Sequence, residues 1–438
     1  MPLQTRNLGR ATAALALAAL IGTACASSSK PSSTGGSTAT SAGTNPAPPA
    51  TNSASTGGAA GLLGPANKAT GTPVKVGLIS DGKSDTIDDT PEITAAQASA
   101  SYINDHRGGI NGHPIDLVVC QTHQTPAGAT DCATQMVGDK VVAVLYGVSG
   151  QGASIYTGLA GSNIPLIALG TIEQNALLKP GAFALANLLA SVIAGPAGVA
   201  EAKGIKHAAV VVIDVPAASG PVKAIGGAFY KNAGVSLDVV TVPPGTADMT
   251  PEIQAELAKG PGQFAIVGDQ GFCTSALKAI KTVGFTGSIV IIPECIDANT
   301  GASIPGGYAG MTLVTWNTSS DHTTPDYKLY SAVLDTYASG APKGGVAPGG
   351  YMVIRAFADV MDSTTGDITV ASVTSAFSSM QSSIQFQMGG GTTFQCGTKP
   401  VPIAPNICAS KILQGSVDAQ GNGSNFQVLD TSDLTKLG

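Results

Sequence analysis

Two short glycine-rich segments place a hydroxyl side chain where it could act as a nucleophile or handle a phosphate group. The first, residues 147–151, reads GVSGQ, but it lacks the final glycine of a nucleophile elbow, and no Asp and His follow in the order that a catalytic triad needs. The second, residues 389–392, reads GGGT and lacks the lysine of a phosphate-binding loop. We therefore predict no catalytic residues and no cofactor.

Cys25 ends a segment with the three parts of an export signal: a basic start, a short apolar core over residues 11–21, and small residues before the cysteine. The core is too short to span a bilayer. Residues 20–24, LIGTA, resemble the lipobox of bacterial lipoproteins, although Gly22 stands where that family usually has an aliphatic residue. We assign residues 1–25 to a lipoprotein signal peptide and expect Cys25 to carry a lipid anchor in the cell membrane, on its extracytoplasmic side. Plain secretion is the alternative.

The other cysteines form three local pairs. Setting Cys25 aside leaves six of the seven cysteines, and an even number in an exported chain indicates disulfides. Pairing each with its nearest neighbour predicts the disulfides Cys120–Cys132, Cys273–Cys295 and Cys396–Cys408, although 15 connectivities are formally possible. A metal site lacks support, because the chain has no CxxC motif and its five histidines are scattered.

Residues 26–72 consist almost entirely of small and polar residues, a composition that cannot bury enough apolar surface to fold. We interpret this segment as a disordered tether, with a cleaved spacer as the alternative. The net charge of the chain is −6, and Arg107 and Arg355 are the two arginines after the tether. Since binding of a phosphate backbone needs clustered Lys and Arg, we expect no nucleic-acid partner.

After the tether, short β-branched runs alternate with Ala-rich segments of helical period. The first series has predicted strands at 74–79, 115–120, 141–146 and 165–168, with helices at 93–103, 127–137 and 153–160. The second has strands at 207–213, 237–242, 263–267 and 288–292, with helices at 222–233, 251–258 and 274–283. Such alternation is typical of parallel sheets covered on both faces, so we predict two doubly wound domains.

Several segments resemble type I periplasmic binding proteins, in particular the branched-chain amino acid (Leu/Ile/Val) receptors of ABC importers. They are VKVGLISDG from Val74, SYINDHRGGINGHPIDLVV from Ser101, NIPLIALGT from Asn163, FAIVGDQGFCTSALKAIKTVGFTG from Phe264, GYAGMTLVTWN from Gly307 and PGGYMVIRAFADVM from Pro348. In that family the turn after the first helix commonly reads GGINGRPI, and this chain differs from it only at His113. The resemblance covers residues 74 to about 362.

The resemblance implies an α/β fold with two doubly wound parallel-sheet lobes joined by three hinge crossings, near Ala190, Trp316 and Ile412. Lobe I would comprise residues 73–190 plus 317–410, and lobe II residues 191–316 plus 411–438. The ligand would bind between the lobes, at the carboxyl ends of the strands, where loops and helix N-termini gather.

The resemblance also suggests ligand contacts in lobe I. The Leu/Ile/Val receptors hold a ligand carboxylate with hydroxyls and backbone N–H groups of two loops, which correspond to residues 146–150 and 169–171 here. Ser149, Gly170 and Thr171 are therefore candidate contacts, and capping of the following helices is the alternative role of the two hydroxyls. Asp81 could line the cleft and favour a cation or hydroxyl groups, or it could simply form a turn.

In lobe II, Glu294 stands where the family has its acidic partner for a ligand ammonium, with solvation or loop capping as the alternative. Asp269 and Gln270 follow a strand at a position where the family often has tyrosines, which suggests a different ligand surface. Residues 216–220 replace a loop that often carries an aromatic wall. Trp316 could stack on a ligand or pack in the core between the lobes.

We therefore predict a solute-binding lipoprotein that captures a small polar ligand, such as an amino acid or related compound, and delivers it to an ABC permease in the membrane. Its further expected properties are a monomeric state and no metal. The alternatives are a ligand-sensing surface receptor and an adhesive lipoprotein of the same fold. The sequence does not separate transport from sensing, because both use closure of the lobes.

Overall fold

A computed structural model of the chain describes residues 59–84, 88–170, 176–296, 301–402 and 404–436. Two of the predicted functional residues, Cys25 and Thr171, lie outside these ranges. Within the described ranges, no helix combines the length and the apolar character that a membrane crossing requires.

The strands alternate with helices through both halves of the chain. The strands are β1 (Val74–Ser80), β2 (Ile115–Gln121), β3 (Val144–Tyr146), β4 (Leu166–Ala168), β5 (Ala182–Ala184), β6 (His207–Ile213), β7 (Ser236–Val242), β8 (Gln263–Val267), β9 (Ser288–Ile291), β10 (Thr312–Thr315), β11 (Ile384–Gln385), β12 (Thr393–Phe394), β13 (Lys411–Val417) and β14 (Gly423–Asp430). The α-helices are α1 (Ala59–Leu63), α2 (Thr90–His106), α3 (Pro126–Asp139), α4 (Gly152–Gly158), α5 (Gly195–Ala202), α6 (Pro216–Pro221), α7 (Gly227–Asn232), α8 (Thr250–Leu257), α9 (Gln270–Thr282), α10 (Pro325–Tyr337), α11 (Ala347–Met361) and α12 (Val370–Ser378). Short π-helical turns, Ala190–Ala194 and Val222–Gly226, precede α5 and join α6 to α7.

Two large sheets organise the molecule and confirm the predicted α/β class. The first is fully parallel, in the order β2-β1-β3-β4-β5. The second has the order β14-β13-β10-β9-β8-β6-β7, and its five strands from β6 to β10 are parallel. Strands β13 and β14 pair antiparallel to each other, and β13 is antiparallel to β10. A short turn between β13 and β14 reverses the chain, and its Asp418 carboxylate accepts from the Gln420 and Asn422 N–H groups. The second sheet is therefore mixed rather than parallel throughout.

The chain passes between two groups of buried apolar side chains, one on each sheet, three times. The passages lie between Ala186 and Ala190, between Val314 and Trp316, and between Ala409 and Ile412. The first leaves the carboxyl end of β5 and the second the carboxyl end of β10, while the third enters β13, which is antiparallel to β10. All three passages therefore lie at the carboxyl ends of the parallel strands, and these edges of the two sheets face each other.

Helix α11 fixes one wall of this region. Fourteen of its residues are buried, so it lies inside the first lobe rather than on its surface. It packs along α2, where the Ser99 hydroxyl donates to the Tyr351 carbonyl at 3.1 Å. The glycines that open α11 let its backbone approach Glu92 and the loop after β3, and a Cβ at Gly349 would lie 3.5 Å from the Gly147 Cα.

Part of the predicted tether is folded. Leu63 and Ala69 are buried, and the backbone N–H groups of Asn67 and Ala69 donate to carbonyls of α2 at 2.8 and 2.7 Å. Composition alone misses this docking, because the apolar residues that make it are few and widely spaced. The folded part thus begins before Pro73.

The three predicted disulfides are present. Cys120–Cys132 joins β2 to α3, and Cys273–Cys295 joins α9 to the turn after β9. Cys396–Cys408 joins the two ends of the segment that connects β12 to β13. Their Cα–Cα distances are 5.5, 5.1 and 4.3 Å. Each closes a local loop of 12 or 22 residues and so reduces the entropy of the unfolded chain.

Candidate functional site

The facing edges of the two sheets carry most of the polar residues that the sequence singles out. In the first lobe, Asp81 follows β1, Ser149 lies in the loop after β3, and Gly170 follows β4. In the second, Asp269 follows β8 and Glu294 lies in the turn after β9. Each parallel sheet thus gathers residues that are distant in sequence at the carboxyl edge of its strands.

Asp81 is the centre of a hydrogen-bond network beneath the loop after β3. Its carboxylate is buried, with one oxygen accepting from the hydroxyls of Thr122 and Ser149 at 2.9 and 2.6 Å. The other oxygen accepts from the backbone N–H of Gly150 at 2.8 Å. The side chain thus holds the loop after β3 against the ends of β1 and β2.

Glu92, in the first turn of α2, holds the other half of the same loop. Its Oε1 accepts from the backbone N–H groups of Gly147 and Val148, both at 2.9 Å, and the Ser80 hydroxyl donates to its Oε2 at 2.5 Å. The side chain is fully buried, and the loss of hydration raises the pKa of its carboxyl to about 7. The sequence pattern does not single out Glu92, because this residue directly precedes an apolar segment of helical period and is not part of a recognisable motif.

The hydrogen bonds of Ser149 match the alternative role expected for it, which is to hold the loop and cap the following helix. Its hydroxyl donates to Asp81 and accepts from the Gln151 N–H at 3.0 Å, so it serves the loop and the start of α4. Gly170 is also engaged, because its N–H donates to the Gly147 carbonyl at 3.2 Å. The sequence could not reveal these bonds, since the accepting groups, the Asp81 carboxylate and the Gly147 carbonyl, come from other segments of the chain.

Further carboxylates surround this edge of the first lobe. Asp88 pairs with Lys83 at 3.5 Å, and Asp89 precedes α2. Burial, together with the neighbouring charges of Asp81 and Asp88, raises the pKa of Asp89 to about 6. The first lobe therefore presents acidic groups to the cleft.

Glu294 is the main acidic group on the opposite edge. Its side chain is exposed to water, yet enough protein surrounds it that desolvation raises the pKa of its carboxyl. Because the adjacent Cys295 is bonded to Cys273 of α9, the turn that carries Glu294 is fixed to the rest of the lobe.

Asp269 and Gln270 are exposed between the end of β8 and the first turn of α9. The Asp269 carboxylate caps α9 by accepting from the Phe272 N–H at 2.9 Å, so part of its role is structural. Residues 216–220, expected as a loop, instead begin α6, and the Ser219 hydroxyl and the Lys223 ammonium bond Asp214 at 3.1 and 3.3 Å.

Trp316 and Asn187 lie at two of the crossings, and both side chains are buried. Trp316 is 8% exposed and packs in the first-lobe core, which favours the core role expected as one alternative over stacking on a ligand. Asn187, at the first crossing, was missed by sequence analysis. Its Oδ1 accepts from the Ala190 N–H at 2.9 Å, while its buried Nδ2 has no acceptor among the described residues.

One group of residues has metal-ligating types, but it lies at the opposite edge of the second sheet. The ligating atoms of His207, Asp238 and Glu256 lie within 4.8 Å of one another. The Lys259 ammonium already donates to Glu256 at 2.8 Å and to Asp238 at 3.4 Å. This geometry is that of an ion-pair network, with a lysine where a metal ion would sit.

Comparisons with known proteins agree with the fold. A family model described as periplasmic binding protein matches residues 73–402. No curated protein matches the chain.

Three solved structures illustrate the similarity. An ABC transporter substrate-binding protein from Sphaerobacter thermophilus has 16% identity and a TM-score of 0.68, covering 82% of this chain and 99% of its own. A solute-binding protein of an ABC transporter from R. palustris, in complex with 4-hydroxybenzoate, has 16% identity and a TM-score of 0.64, covering 82% and 98%. A branched-chain amino acid transporter substrate-binding protein from Streptococcus pneumoniae, in complex with isoleucine, has 15% identity and a TM-score of 0.63, covering 82% and 100%.

Proposed function

Because this chain belongs to the periplasmic binding protein family, we propose that it captures a small polar ligand between its two lobes and delivers it to an ABC importer. The observation that supports this proposal is that all three chain passages lie at the carboxyl ends of the parallel strands, where polar residues of both lobes follow their strands. A ligand that contacts both edges favours the closed arrangement of the lobes, because closure needs a difference in affinity between the two states.

We propose the same division into two lobes that the sequence predicts, except that the folded part of lobe I begins before residue 73. Lobe I comprises residues 73–190 and 317–410, with residues 61–72 docked on it, and lobe II comprises residues 191–316 and 411–438. The separate apolar groups on the two sheets support this division. The protein acts as an extracytoplasmic monomer, held at the membrane by lipidated Cys25 beside its permease. Three disulfides suit such an oxidising location.

Binding rather than catalysis fits the cleft. The Ser149 hydroxyl is buried, donates to Asp81 and accepts from the Gln151 N–H, so its hydrogen bonds serve to hold the loop after β3. Among the predicted residues, Glu294, Asp269 and Gln270 supply accessible polar groups from lobe II. In lobe I, Asp81, Ser149 and Gly170 support the loop beneath the ligand, and Thr171 remains a proposed direct contact. Trp316 supports the second crossing.

A thermal-shift screen tests the function. The exported chain would be heated with amino acids, small amides, polyols, nucleosides and amines, and with a low-molecular-weight extract of culture medium. A ligand that binds only the folded chain raises the melting temperature according to its concentration relative to Kd. We expect at least one sample to raise it in a saturable way. If neither the compounds nor the extract does so, the chain does not bind solutes.

A further inference from the structure

Three side chains of metal-ligating types lie close together at the edge of the second sheet that is opposite the carboxyl ends of its parallel strands. His207 begins β6, Asp238 lies on the neighbouring strand β7, and Glu256 lies in the last turn of α8. Their ligating atoms are all within 4.8 Å of one another, and His207 Nε2 is 3.1 Å from Asp238 Oδ2. Two strands and a helix therefore bring one imidazole and two carboxylates together.

The negative charge of this group is only partly compensated. The Lys259 ammonium donates to Glu256 Oε2 at 2.8 Å and to Asp238 Oδ2 at 3.4 Å, so with a neutral imidazole one ammonium faces two carboxylates. Glu256 is 2% exposed, and its Oε1 accepts from no donor in the part of the chain that the structure describes. A buried carboxylate oxygen that has lost its water and gained no donor is costly. A stronger cation than the lysine would satisfy it.

We propose that this group binds a zinc ion, which takes the place of the Lys259 ammonium. An imidazole nitrogen and carboxylate oxygens are ligands that Zn²⁺ accepts in proteins, and His207, Asp238 and Glu256 supply three of them, with water in the fourth position. The ligating atoms of a tetrahedral zinc site lie roughly 3.3 Å apart, so small side-chain rotations are sufficient to assemble it. The nitrogen ligand disfavours Ca²⁺ and Mg²⁺, which bind oxygen.

Displacement of the lysine costs little. The Lys259 side chain is 54% exposed, so the released ammonium regains water, and an exposed ion pair contributes little to stability. A neutral His207 that carries its hydrogen on Nδ1 leaves Nε2 free to bind the metal. The zinc ion then joins β6, β7 and α8 within lobe II. Because these residues lie at the far edge of the sheet, the site is independent of solute capture.

Calorimetric titration of zinc chloride into the untagged exported chain, freed of metal by a chelator, tests this inference. We expect saturable binding of one zinc ion per chain, and binding of Mg²⁺ that is about tenfold weaker or more. Lys259→Ala should bind zinc about tenfold or more tightly than the wild-type chain, because no ammonium has to be displaced. Absence of saturable zinc binding to the wild-type chain, equal affinity for Mg²⁺, or unchanged affinity of Lys259→Ala overturns the inference.

A pair of histidine variants locates the metal. His207→Gln removes the nitrogen ligand and is expected to weaken zinc binding by about tenfold or more. His322→Gln is the matched control, because His322 is an exposed histidine between β10 and α10 and lies outside the group. Circular dichroism shows whether both variants are folded before they are titrated. Equal zinc affinities of the two folded variants would show that the ion binds elsewhere and would contradict the proposal.

Discussion

The Oε1 atom of Glu92 accepts the backbone N–H of Gly147 at 2.9 Å, so a buried carboxylate of α2 holds the loop that follows β3. The loop is held by the protein's own carboxyl group, and this relationship accounts for the burial of Glu92 at the edge of the first sheet.

The first prediction concerns pH. Burial raises the pKa of Glu92 from 4.5 to about 7, so the folded chain binds this proton more tightly than the unfolded chain. The resulting stabilisation is complete below about pH 4.5 and is lost as the pH rises through 7, with a size of roughly 3 kcal/mol. Glu92→Gln keeps the acceptor for both N–H groups and does not titrate. We expect urea unfolding between pH 4.5 and 8 to show a smaller decline for this variant than for the wild-type chain.

Asp89 contributes a decline in the same direction, because its pKa is also raised, to about 6. Asp89 is present in the wild-type chain and in the Glu92→Gln variant, so its contribution cancels when the two pH profiles of stability are compared. Parallel stability profiles of the wild-type chain and the Glu92→Gln variant across this pH range would show that Glu92 does not carry the assigned proton.

The second prediction concerns the space at Gly147. A Cβ there would collide with Oε1 of Glu92 and lie 2.7 Å from the Gly349 carbonyl carbon. Gly147→Ala should lower the free energy of unfolding by about 2–3 kcal/mol, because neither α11 nor the carboxylate can move easily. Gly138→Ala is the matched control, since no atom lies within 4 Å of a Cβ at that site in α3. Chemical denaturation of both variants measures the difference, and equal stabilities would contradict the packing described.

Much of the fold could be predicted from the sequence, for local reasons. The strands of the parallel sheets are short apolar runs, and the disulfides join cysteines that are close in sequence. The antiparallel strands β13 and β14 and the docking of residues 61–72 were missed, because their apolar residues alternate with polar ones or are sparse.

The site was less predictable, because its contacts join distant segments. Glu92 and Gly147 are 55 residues apart, and Asp81 and Ser149 are 68 apart, so no local pattern links them. Ser149 has the residue type expected for a ligand contact, but only the three-dimensional structure shows that its hydroxyl already donates a hydrogen bond to Asp81.

The third prediction concerns the Cys273–Cys295 disulfide. Replacing both cysteines by alanine should lower the free energy of unfolding by about 3 kcal/mol, as expected for a loop of 22 residues. It should also weaken ligand binding, because Cys295 fixes the turn that carries Glu294. The same double replacement at Cys120 and Cys132 should reduce stability and spare affinity. Calorimetry with the ligand that binds the wild-type chain most tightly separates the loss of affinity from the loss of stability. Equal affinities of the two double variants would refute the role assigned to the Cys273–Cys295 disulfide.

The fourth prediction concerns the first crossing. Asn187→Ala removes the acceptor for the Ala190 N–H and should lower the free energy of unfolding by about 1 kcal/mol. Asn187→Ser retains a hydroxyl that can cap the same N–H and serves as the control. Urea denaturation of the two variants measures the difference, which would vanish if the side chain does not act as a cap.

The proposed solute capture requires the two lobes to close around a small ligand. Small-angle X-ray scattering of the exported chain, with and without a saturating amount of the compound that most raises its melting temperature, tests this directly. We expect the radius of gyration to fall when the ligand binds. An unchanged radius at saturation would contradict capture between the lobes.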